Sequence, residues 1–394
     1  MLLKVKDNKM SVKLIIGADL VPTDTNIDLF NKADIKTLIG DELSAILSGA
    51  DFTIFNLEVA LTDKEIPIDK CGPCLIAPTS SVNGLKAINP HFFTLSNNHI
   101  LDQGEQGLHS TMKVLKENGI EFAGAGNDLS EASKAFVKNI NGINVGIYCC
   151  AEHEFSIATE NSAGANPFDP LESLDHIAEL KKNCDYVVVL YHGGKEHYRY
   201  PSPMLQKTCR KIVDKGADLV VCQHSHCIGC EEKWKAGTIV YGQGNFLFDH
   251  SNSEFWQTSL LIQVDLKDSQ SKPQVTFIPL VKCGEKVRLA KESDATKIIN
   301  EFNQRGVEIL QDGVVADKYR EFATSYKNNY LSAFNGNTTK RFGFRVLNKL
   351  SKRKLMNVYI NRNYKKQNRI VLKNFIECEA HRELVIEALM SESM

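Results

Sequence analysis

The sequence of 394 residues contains no apolar run that approaches the roughly 20 residues needed to cross a bilayer. Its N-terminal region lacks the pattern of a secretory signal, because Lys4, Lys6 and Asp7 interrupt the first apolar run. Neither sign of charge is in excess, since 47 Lys and Arg stand against 48 Asp and Glu and give a net charge of −1. We therefore expect neither a membrane-spanning helix nor a nucleic-acid partner, which a strongly basic surface would indicate.

The cysteines do not follow the pattern of a disulfide framework. There are eleven, an odd number, and they are scattered along the chain. This usage is typical of a reducing compartment, so we expect a cytoplasmic protein. The content of 43 % hydrophobic and 24 % charged residues is that of an ordinary folded chain and excludes wholesale disorder.

Strand-length apolar runs alternate with segments of helical period over the first two-thirds of the chain. Buried strands are predicted at 12–17, 52–55, 92–95, 144–149, 186–190 and 218–222, and helices at 42–47, 105–118, 171–182 and 204–215. Three later strands, at 238–241, 259–264 and 274–279, have no helix between them. The pattern predicts an α/β fold with an antiparallel portion.

The pattern changes again towards the C-terminus. From 291 onwards it is helical, with helices predicted at 296–304, 317–325 and 370–390. We therefore predict two parts, an α/β domain at 1–290 and a helical, partly basic region at 291–394.

Polar residues follow five of the predicted strands, at the sheet edge where parallel sheets bind their ligands. They are Asp19, Asn56, Glu58, Asn98, His99, Asp102, His192, Glu196, His224 and His226. Singly, each has an ordinary explanation as a loop or capping residue. Together they suit divalent ions such as Zn, Mn, Fe or Mg, and a bridging carboxylate can hold two such ions about 3.5–4 Å apart for hydrolysis. An extended stretch at 224–226 would place both of its imidazoles on one face.

Six segments make the sequence similar to a known family. The segments GADLVP, FNLEVAL, LSNNHILDQGEQGL, YHGGKEH, QHSHCIG and YGQGNFLFD resemble the CapA family of bacterial capsule and poly-γ-glutamate synthesis proteins, of the calcineurin-like metallophosphoesterase superfamily. The resemblance covers about residues 12–285. It implies a four-layer α/β/β/α sandwich with a site for two divalent metal ions at one end of its sheets.

The resemblance also implies a role for each site residue. The metal ligands would be Asp19 and His226 at the first ion, Glu58 as the bridge, and Asn98, His192 and His224 at the second ion. His99, positioned by Asp102, would be the general acid that protonates the leaving oxygen. Asn56, Glu196 and Asn245 would line the pocket around them.

Three features depart from the usual motifs of the superfamily. Gly17-Ala18-Asp19 carries one residue more than the usual Gly-Asp, and Gln223 replaces the usual Gly before the two histidines. The first motif also lacks the histidine that ordinary metallophosphatases supply to the first metal ion, as the CapA branch does.

The function that the resemblance implies is metal-dependent hydrolysis of a phosphoester or phosphoanhydride in the synthesis of an anionic capsule or other surface polymer. The substrate would be an anionic polymer or a phosphorylated small molecule. One alternative is a subunit that binds a polyanion or a synthase partner without turnover. Another is a metal-dependent γ-glutamyl amidohydrolase, because an activated water can also attack a carbonyl.

Two cysteine pairs suggest other chemistry on sequence alone. Cys71-Gly72-Pro73-Cys74 spells a thioredoxin-type motif, but Pro78 follows too closely for a helix to continue, so we expect a turn. Cys227 and Cys230 lie near the two histidines and could complete a Cys₂His₂ zinc site. We favour buried, apolar cysteines there instead.

The segment from Lys340 to Lys373 is strongly basic, with twelve Lys and Arg and no Asp or Glu. The remainder of the chain then carries a net charge of −13. Apolar residues are interspersed in the segment, as in helices that bind a membrane surface or an anionic polymer. Peripheral attachment to the inner membrane through this segment is therefore one expectation, and packing against the acidic remainder is the other.

Overall fold

The computed structural model describes residues 11–267, 272–334, 342–377 and 381. The chain divides into two compact units, Met1–Ala316 and Asp317–Met394. The N-terminal residues 1–10, the first two residues of the basic segment and most of the predicted helix beyond 377 lie outside the described residues. Within the described ranges, no helix has the length and hydropathy needed to cross a membrane.

The first unit holds all the strands of the described residues. They are β1 (Val12–Val21), β2 (Phe52–Leu57), β3 (Phe92–Thr94), β4 (Glu121–Ala123), β5 (Ala125–Gly126), β6 (Phe136–Ile140), β7 (Ile143–Ala151), β8 (Gly164–Ala165), β9 (Tyr186–His192), β10 (Leu219–Gln223), β11 (Glu231–Trp234), β12 (Gly237–Tyr241), β13 (Asn245–Phe248), β14 (Thr258–Leu266), β15 (Gln274–Cys283) and β16 (Lys286–Leu289).

Helices connect these strands and continue into the second unit. They are α1 (Ile27–Asn31), α2 (Ile35–Leu38), α3 (Gly40–Ser48), α4 (Val82–Ile88), α5 (Gly104–Glu117), α6 (Leu129–Ala132), α7 (Ser173–Asn183), α8 (Pro203–Asp214), α9 (Glu292–Glu308), α10 (Val314–Ala333), α11 (Phe342–Leu350), α12 (Lys354–Asn363) and α13 (Lys366–Glu377).

Two large sheets form the centre of the first unit. The first sheet has the order β16-β15-β14-β1-β2-β3-β4, with β13 pairing to β1. The second sheet has the order β11-β12-β10-β9-β7-β6. The central strands of both sheets pair in parallel, as β1 with β2 and β9 with β10 do, so their carboxyl ends point the same way within each sheet.

Alternation of side chains along the strands builds three hydrophobic clusters. In β1, Leu14 and Ile16 belong to the cluster between the sheets, where they join residues of β7, β9 and β10 such as Val188. Ile15 points the other way and packs in the cluster under α1 to α5. Val187 of β9 likewise packs in a third cluster under α7 and α8. The result is helix, sheet, sheet and helix, which confirms the four-layer α/β/β/α sandwich that the resemblance implies.

Helix α9 packs on the first unit, although the sequence places a boundary before it. Phe302 is fully buried in the cluster between the sheets, with its ring centroid 4.7 Å from that of Phe277. Arg305 donates from Nε to the carbonyl of Gly229 at 2.7 Å. These contacts hold the helix on the sandwich, so the first compact unit extends to 316 instead of ending at 290.

A bulge in β1 absorbs the additional residue of the first motif. Ile16 pairs with Ile54 and Asp19 pairs with Asn56, so three steps along β1 match two steps along β2. A Cβ on Gly17 would lie 2.1 Å from a ring carbon of Phe55, which explains why glycine occupies the bulge. The bulge brings Asp19 to the edge of the sheet despite the longer motif.

Candidate metal centre

The carboxyl ends of β1, β2 and β13 in the first sheet meet those of β9 and β10 in the second sheet. Asp19 of β1 pairs with Asn56 on one side and with Asn245 of β13 on the other. His192 is the last residue of β9, beside Gln223 at the end of β10. Parallel strands on both sheets therefore deliver polar side chains to one edge of the sandwich.

Glu58 lies at the centre of this edge and belongs to two groups of metal-binding side chains. One group contains Glu58, His192 and His224, and the other contains Asp19, Glu58 and His226. The ligand atoms within each group lie within 4.8 Å of one another, and all five residues are buried. A carboxylate shared by two such groups occupies the place of a bridging ligand.

Asparagine side chains hold the ligands in place. Asn56 donates from Nδ2 to Oδ1 of Asp19 at 2.8 Å, and the same Nδ2 lies 3.2 Å from Nδ1 of His192. Asn97 in turn donates to Oδ1 of Asn56 at 3.0 Å. Oδ1 of Asn98 lies 3.0 Å from Nε2 of His192, which places an amide oxygen beside the group that contains His224. Such outer contacts fix the orientation of metal ligands.

Several polar atoms at the site are buried without a hydrogen-bond partner. They are Oδ2 of Asp19, both carboxylate oxygens of Glu58 and Nδ2 of Asn245. The imidazoles of His192 and His226 lie 3.3 and 3.6 Å from Oε1 of Glu58 and Oδ2 of Asp19, but they form no hydrogen bond that replaces the lost water. Carboxylate oxygens and imidazole nitrogens are ligands that divalent ions accept, so the residues present fit a pair of such ions.

The three histidines of the site differ in their electrostatic surroundings. Burial and the neighbouring His192 and His226 lower the pKa of His224 well below its ordinary value. Burial alone would also lower the pKa of His226, but the carboxylates of Asp19 and Glu58 beside it raise it to about 9. Burial opposes a charge on His192 as well, yet the charge of Glu58 raises its pKa. Each of the latter two imidazoles thus stands beside a carboxylate that favours its protonated form.

The backbone around His224 and His226 is not extended, so that prediction was wrong. Both residues have positive φ angles, +85° and +52°. This region is unfavourable for residues other than glycine, and such strain concentrates at functional sites. The turn puts the two rings 6.0 Å apart, centroid to centroid, with one in each ligand group.

His99 and Asp102 lie together as the resemblance implies, and a third residue joins them. Nδ1 of His99 lies 2.5 Å from Oδ2 of Asp102. The ammonium of Lys70 pairs with Oδ1 of the same carboxylate and lies 3.3 Å from Nδ1 of His99. The side chain of Lys70 is only 3 % exposed. Sequence analysis did not identify this lysine, because it lies in a loop about thirty residues earlier.

Glu196 is the predicted site residue that the structure leaves apart from the others. It is half-buried, and within the described residues no hydrogen bond or ion pair joins it to either ligand group. Asn245 is in the site, since its Oδ1 lies 2.9 Å from Nδ1 of His226. Trp256 was missed by the sequence reading, although its ring packs 4.6 Å from that of His226.

The cysteine pairs take no part in the ligand groups. Residues 71–74 form a bend without helix, as expected. Cys227 and Cys230 are fully buried, and burial raises the pKa of the Cys227 thiol to about 11. Among the described residues, neither group of candidate metal ligands includes a cysteine.

Comparison with known proteins gives matches over this same region. The family model described as "Bacterial capsule synthesis protein PGA_cap" matches residues 13–250. The capsule biosynthesis protein CapA of Bacillus anthracis is 32 % identical over 237 residues, which are 58 % of this chain and 57 % of that protein. The PGA biosynthesis protein CapA of Bacillus subtilis is 30 % identical over 233 residues, 56 % of this chain and 59 % of that protein. The chain therefore spans less than two thirds of the length of these relatives.

Two solved structures are similar at lower identity. A phosphatase of Mycoplasma pneumoniae has a TM-score of 0.45 and 15 % identity, covering 70 % of this chain and 95 % of that one. A 5'-nucleotidase precursor of Thermus thermophilus has a TM-score of 0.36 and 15 % identity, covering 76 % of this chain and 60 % of that one.

The family match contains the whole candidate site. Residues 13–250 include both ligand groups, the pair of His99 and Asp102, and every strand of the sheet edge that carries them. The match also covers more than half of the chain. The chain belongs to the PGA_cap family of bacterial capsule synthesis proteins.

Proposed function

We propose that this chain acts in the synthesis of an anionic capsule or other surface polymer, as a hydrolase that uses two divalent metal ions to cleave a phosphoester or phosphoanhydride. The observation that carries the proposal is the carboxylate of Glu58, which is buried, lacks a hydrogen-bond donor and is common to both ligand groups. The names of the curated relatives support the polymer pathway.

In this proposal, each ion belongs to one of the two ligand groups. Asp19 and His226 would hold one ion, His192 and His224 with the amide oxygen of Asn98 would hold the other, and Glu58 would bridge them. When bound, the two ions would supply Lewis acidity and lower the pKa of a water. Asn56 keeps Asp19 oriented throughout.

His99 would handle the proton of the reaction. Its Nδ1 is fixed by Asp102, which leaves Nε2 as the nitrogen that can give a proton to the leaving oxygen. Lys70 adds a positive charge beside this pair. The substrate would be an anionic polymer or a phosphorylated small molecule.

The first test is the metal content of the full chain, purified without a histidine tag and measured by mass spectrometry. We expect about two transition ions per chain. Glu58→Gln should lose metal, because it removes the shared ligand. Glu105→Gln, at an exposed carboxylate in the first turn of α5, is the matched control and should keep it. A wild-type chain that takes up no metal even after incubation with Mn²⁺ or Zn²⁺ would overturn the proposal.

Trp256 offers a second readout that does not depend on activity. Its indole packs against His226 and donates to Nε2 of His197 at 2.8 Å. The chain has two tryptophans, so Trp234→Phe leaves Trp256 as the sole indole reporter. Titration of that variant with Mn²⁺ should change its fluorescence, and a further His226→Ala change should abolish the response.

A substrate panel separates the hydrolase from its alternatives. Phosphomonoesters, phosphodiesters and a γ-glutamyl amide should be tested with the metal-loaded chain. Turnover of a phosphoester supports the proposal, and turnover of the amide alone favours the amidohydrolase. Salt-sensitive binding of poly-γ-glutamate without any turnover would favour a binding subunit.

A further inference from the structure

The second unit carries a surface that the proposed hydrolase does not use. The range 342–373, which holds α11, α12 and most of α13, contains ten Lys and Arg and no Asp or Glu. Surfaces of ordinary globular proteins mix both signs of charge. One sign of charge without its counterpart over this whole range indicates an anionic partner.

Large apolar side chains are exposed on the same three helices. They are Val346, Leu347 and Leu350 on α11, Val358 on α12, and Ile370, Val371, Phe375 and Ile376 on α13. Leu350 is 75 % exposed and Leu347 is 58 % exposed. Single exposed apolar residues are common, but eight on three short helices indicate a surface that some partner covers.

Helix α11 shows how charge and apolar surface are arranged. Val346 and Leu350 are four residues apart and lie on one face, with Leu347 beside them. Arg345 and Lys349, also four apart, lie along the border of that face. The opposite side of the helix packs inward, where Phe344 meets the ring of Tyr359 of α12 at 5.5 Å. The apolar face is thus directed away from the helix packing.

Helix α13 repeats this arrangement. Val371 and Phe375 are four residues apart on one side, Ile370 lies at its border beside Lys366, and Arg369 lies on the other side. An apolar face bordered by Lys and Arg is the pattern of helices that lie in a membrane interface.

We propose that α11, α12 and α13 form a docking surface for an anionic lipid membrane, on which the protein lies without spanning it. The Lys and Arg side chains would pair with the anionic headgroups. The exposed leucines, isoleucines and Phe375 would insert among the acyl chains. A soluble polyanion would satisfy the basic side chains but would leave the apolar ones in water. A second copy would bring two unbalanced positive surfaces together. The lipid surface alone satisfies both features, independently of whether the metal centre hydrolyses anything.

The test is sedimentation of the full chain with vesicles. Vesicles of phosphatidylcholine with about one third phosphatidylglycerol should bind the protein, and pure phosphatidylcholine vesicles should bind it weakly. Raising the salt concentration should weaken the binding to anionic vesicles. The metal state of the first unit should not alter the result.

Paired variants separate apolar insertion from charge. Leu347→Gln combined with Leu350→Gln should weaken binding to the anionic vesicles roughly tenfold, because two side chains that enter the membrane are lost. Leu171→Gln combined with Leu310→Gln is the matched control. These leucines of the first unit are 78 % and 61 % exposed, so their replacement should leave both folding and vesicle binding unchanged.

The remaining outcomes overturn the proposal. Anionic vesicles that fail to bind, or that bind the Leu347 and Leu350 variant as well as the wild type, would exclude membrane insertion. Binding to soluble poly-γ-glutamate as strong as to vesicles, and unaffected by the leucine changes, would identify a polyanion as the partner. A mass that doubles with concentration and returns to one chain in the leucine variant, without vesicle binding, would identify a second copy.

Discussion

Gln223 donates from Nε2 to the carbonyl oxygen of Gly17 at 3.4 Å, across the two sheets and directly beneath the candidate metal centre. Both belong to places where the sequence departs from the usual motifs, one by an additional residue and the other by a glutamine in place of glycine. Nε2 of Gln223 also lies 3.4 Å from Oε1 of Gln243. Nε2 of Gln243 in turn donates to the carbonyl oxygens of Ile16 and Leu260. The two departures are therefore linked, because the side-chain amide of Gln223 donates a hydrogen bond to a backbone carbonyl of the bulge in β1.

Gln223→Leu should destabilise the first unit by roughly 1–3 kcal/mol, since the carbonyl of Gly17 would be buried without its donor. The midpoint of thermal unfolding, measured by circular dichroism, reports the effect. Gln304→Leu, on the exposed side of α9, is the control and should have little effect. An equal loss of thermal stability in both variants would mean that the hydrogen bond from Gln223 to Gly17 does not stabilise the fold.

His224→Ala and His226→Ala should each remove one metal ion and leave the other. The reason is that each histidine belongs to only one of the two ligand groups. Mass spectrometry of the purified variants should give roughly one ion per chain, against about two in the wild type. If either variant lost both ions, the two ligand groups would not bind their ions separately, and this prediction would be contradicted.

Removal of the metal should lower the thermal stability of the wild-type chain. A ligand at a hundred times its Kd stabilises the folded state by about 2.7 kcal/mol. We therefore expect chelation to lower the Tm by roughly 5–10 °C, at about 2–4 °C per kcal/mol for domains of 150–250 residues. Glu58→Gln should show little change of Tm on chelation, and Glu105→Gln should behave as the wild type.

Lys70→Met should reduce turnover by about 10- to 100-fold while the metal content stays unchanged. Lys70 is the cation that pairs with Asp102, and without it the hold of Asp102 on His99 weakens. Lys70→Arg retains the charge and should recover part of the turnover. Steady-state kinetics on a phosphoester and metal analysis of the same preparations provide the two measurements. A loss of metal from Lys70→Met would assign this lysine a structural role instead.

Lys282→Met should destabilise the first unit in a way that depends on pH. Burial would raise the pKa of Asp249, but hydrogen bonds from Lys282 and Thr25 outweigh burial and lower that pKa. A carboxyl group with a lowered pKa in the folded state stabilises the fold above its unfolded pKa, and this contribution disappears as the pH falls through the folded value.

The difference in unfolding free energy between wild type and Lys282→Met should therefore be roughly 1–3 kcal/mol at neutral pH and shrink below about pH 4. Denaturant unfolding at a series of pH values measures it. Lys291→Met removes an ion pair with Glu42 in which both side chains are about two-thirds exposed, so its effect should be small at every pH. A difference for Lys282→Met that is independent of pH would contradict the role of Asp249.

Much of the fold could be predicted from the sequence because apolar runs mark buried strands. The runs at 52–55, 186–190 and 218–222 are the cores of β2, β9 and β10, buried on both faces. Strand β13 was not predicted. It has only four residues, and its first, Asn245, is a polar residue that belongs to the site. Pairing with β1 makes this segment a strand, and no local pattern contains that information.

The sequence by itself determined the α/β class and the polar residues that follow each strand, because parallel strands carry their ligands at the carboxyl edge. Only the tertiary structure decided that Glu196 stands apart and that Lys70 joins His99 and Asp102, and it supplied the geometry in which Glu58 lies in two ligand groups. The backbone turn that assigns His224 and His226 to different groups was also decided there. The physical reason is that these relations depend on how two sheets and a distant loop approach one another, whereas the local pattern records only which residues are apolar and at what spacing.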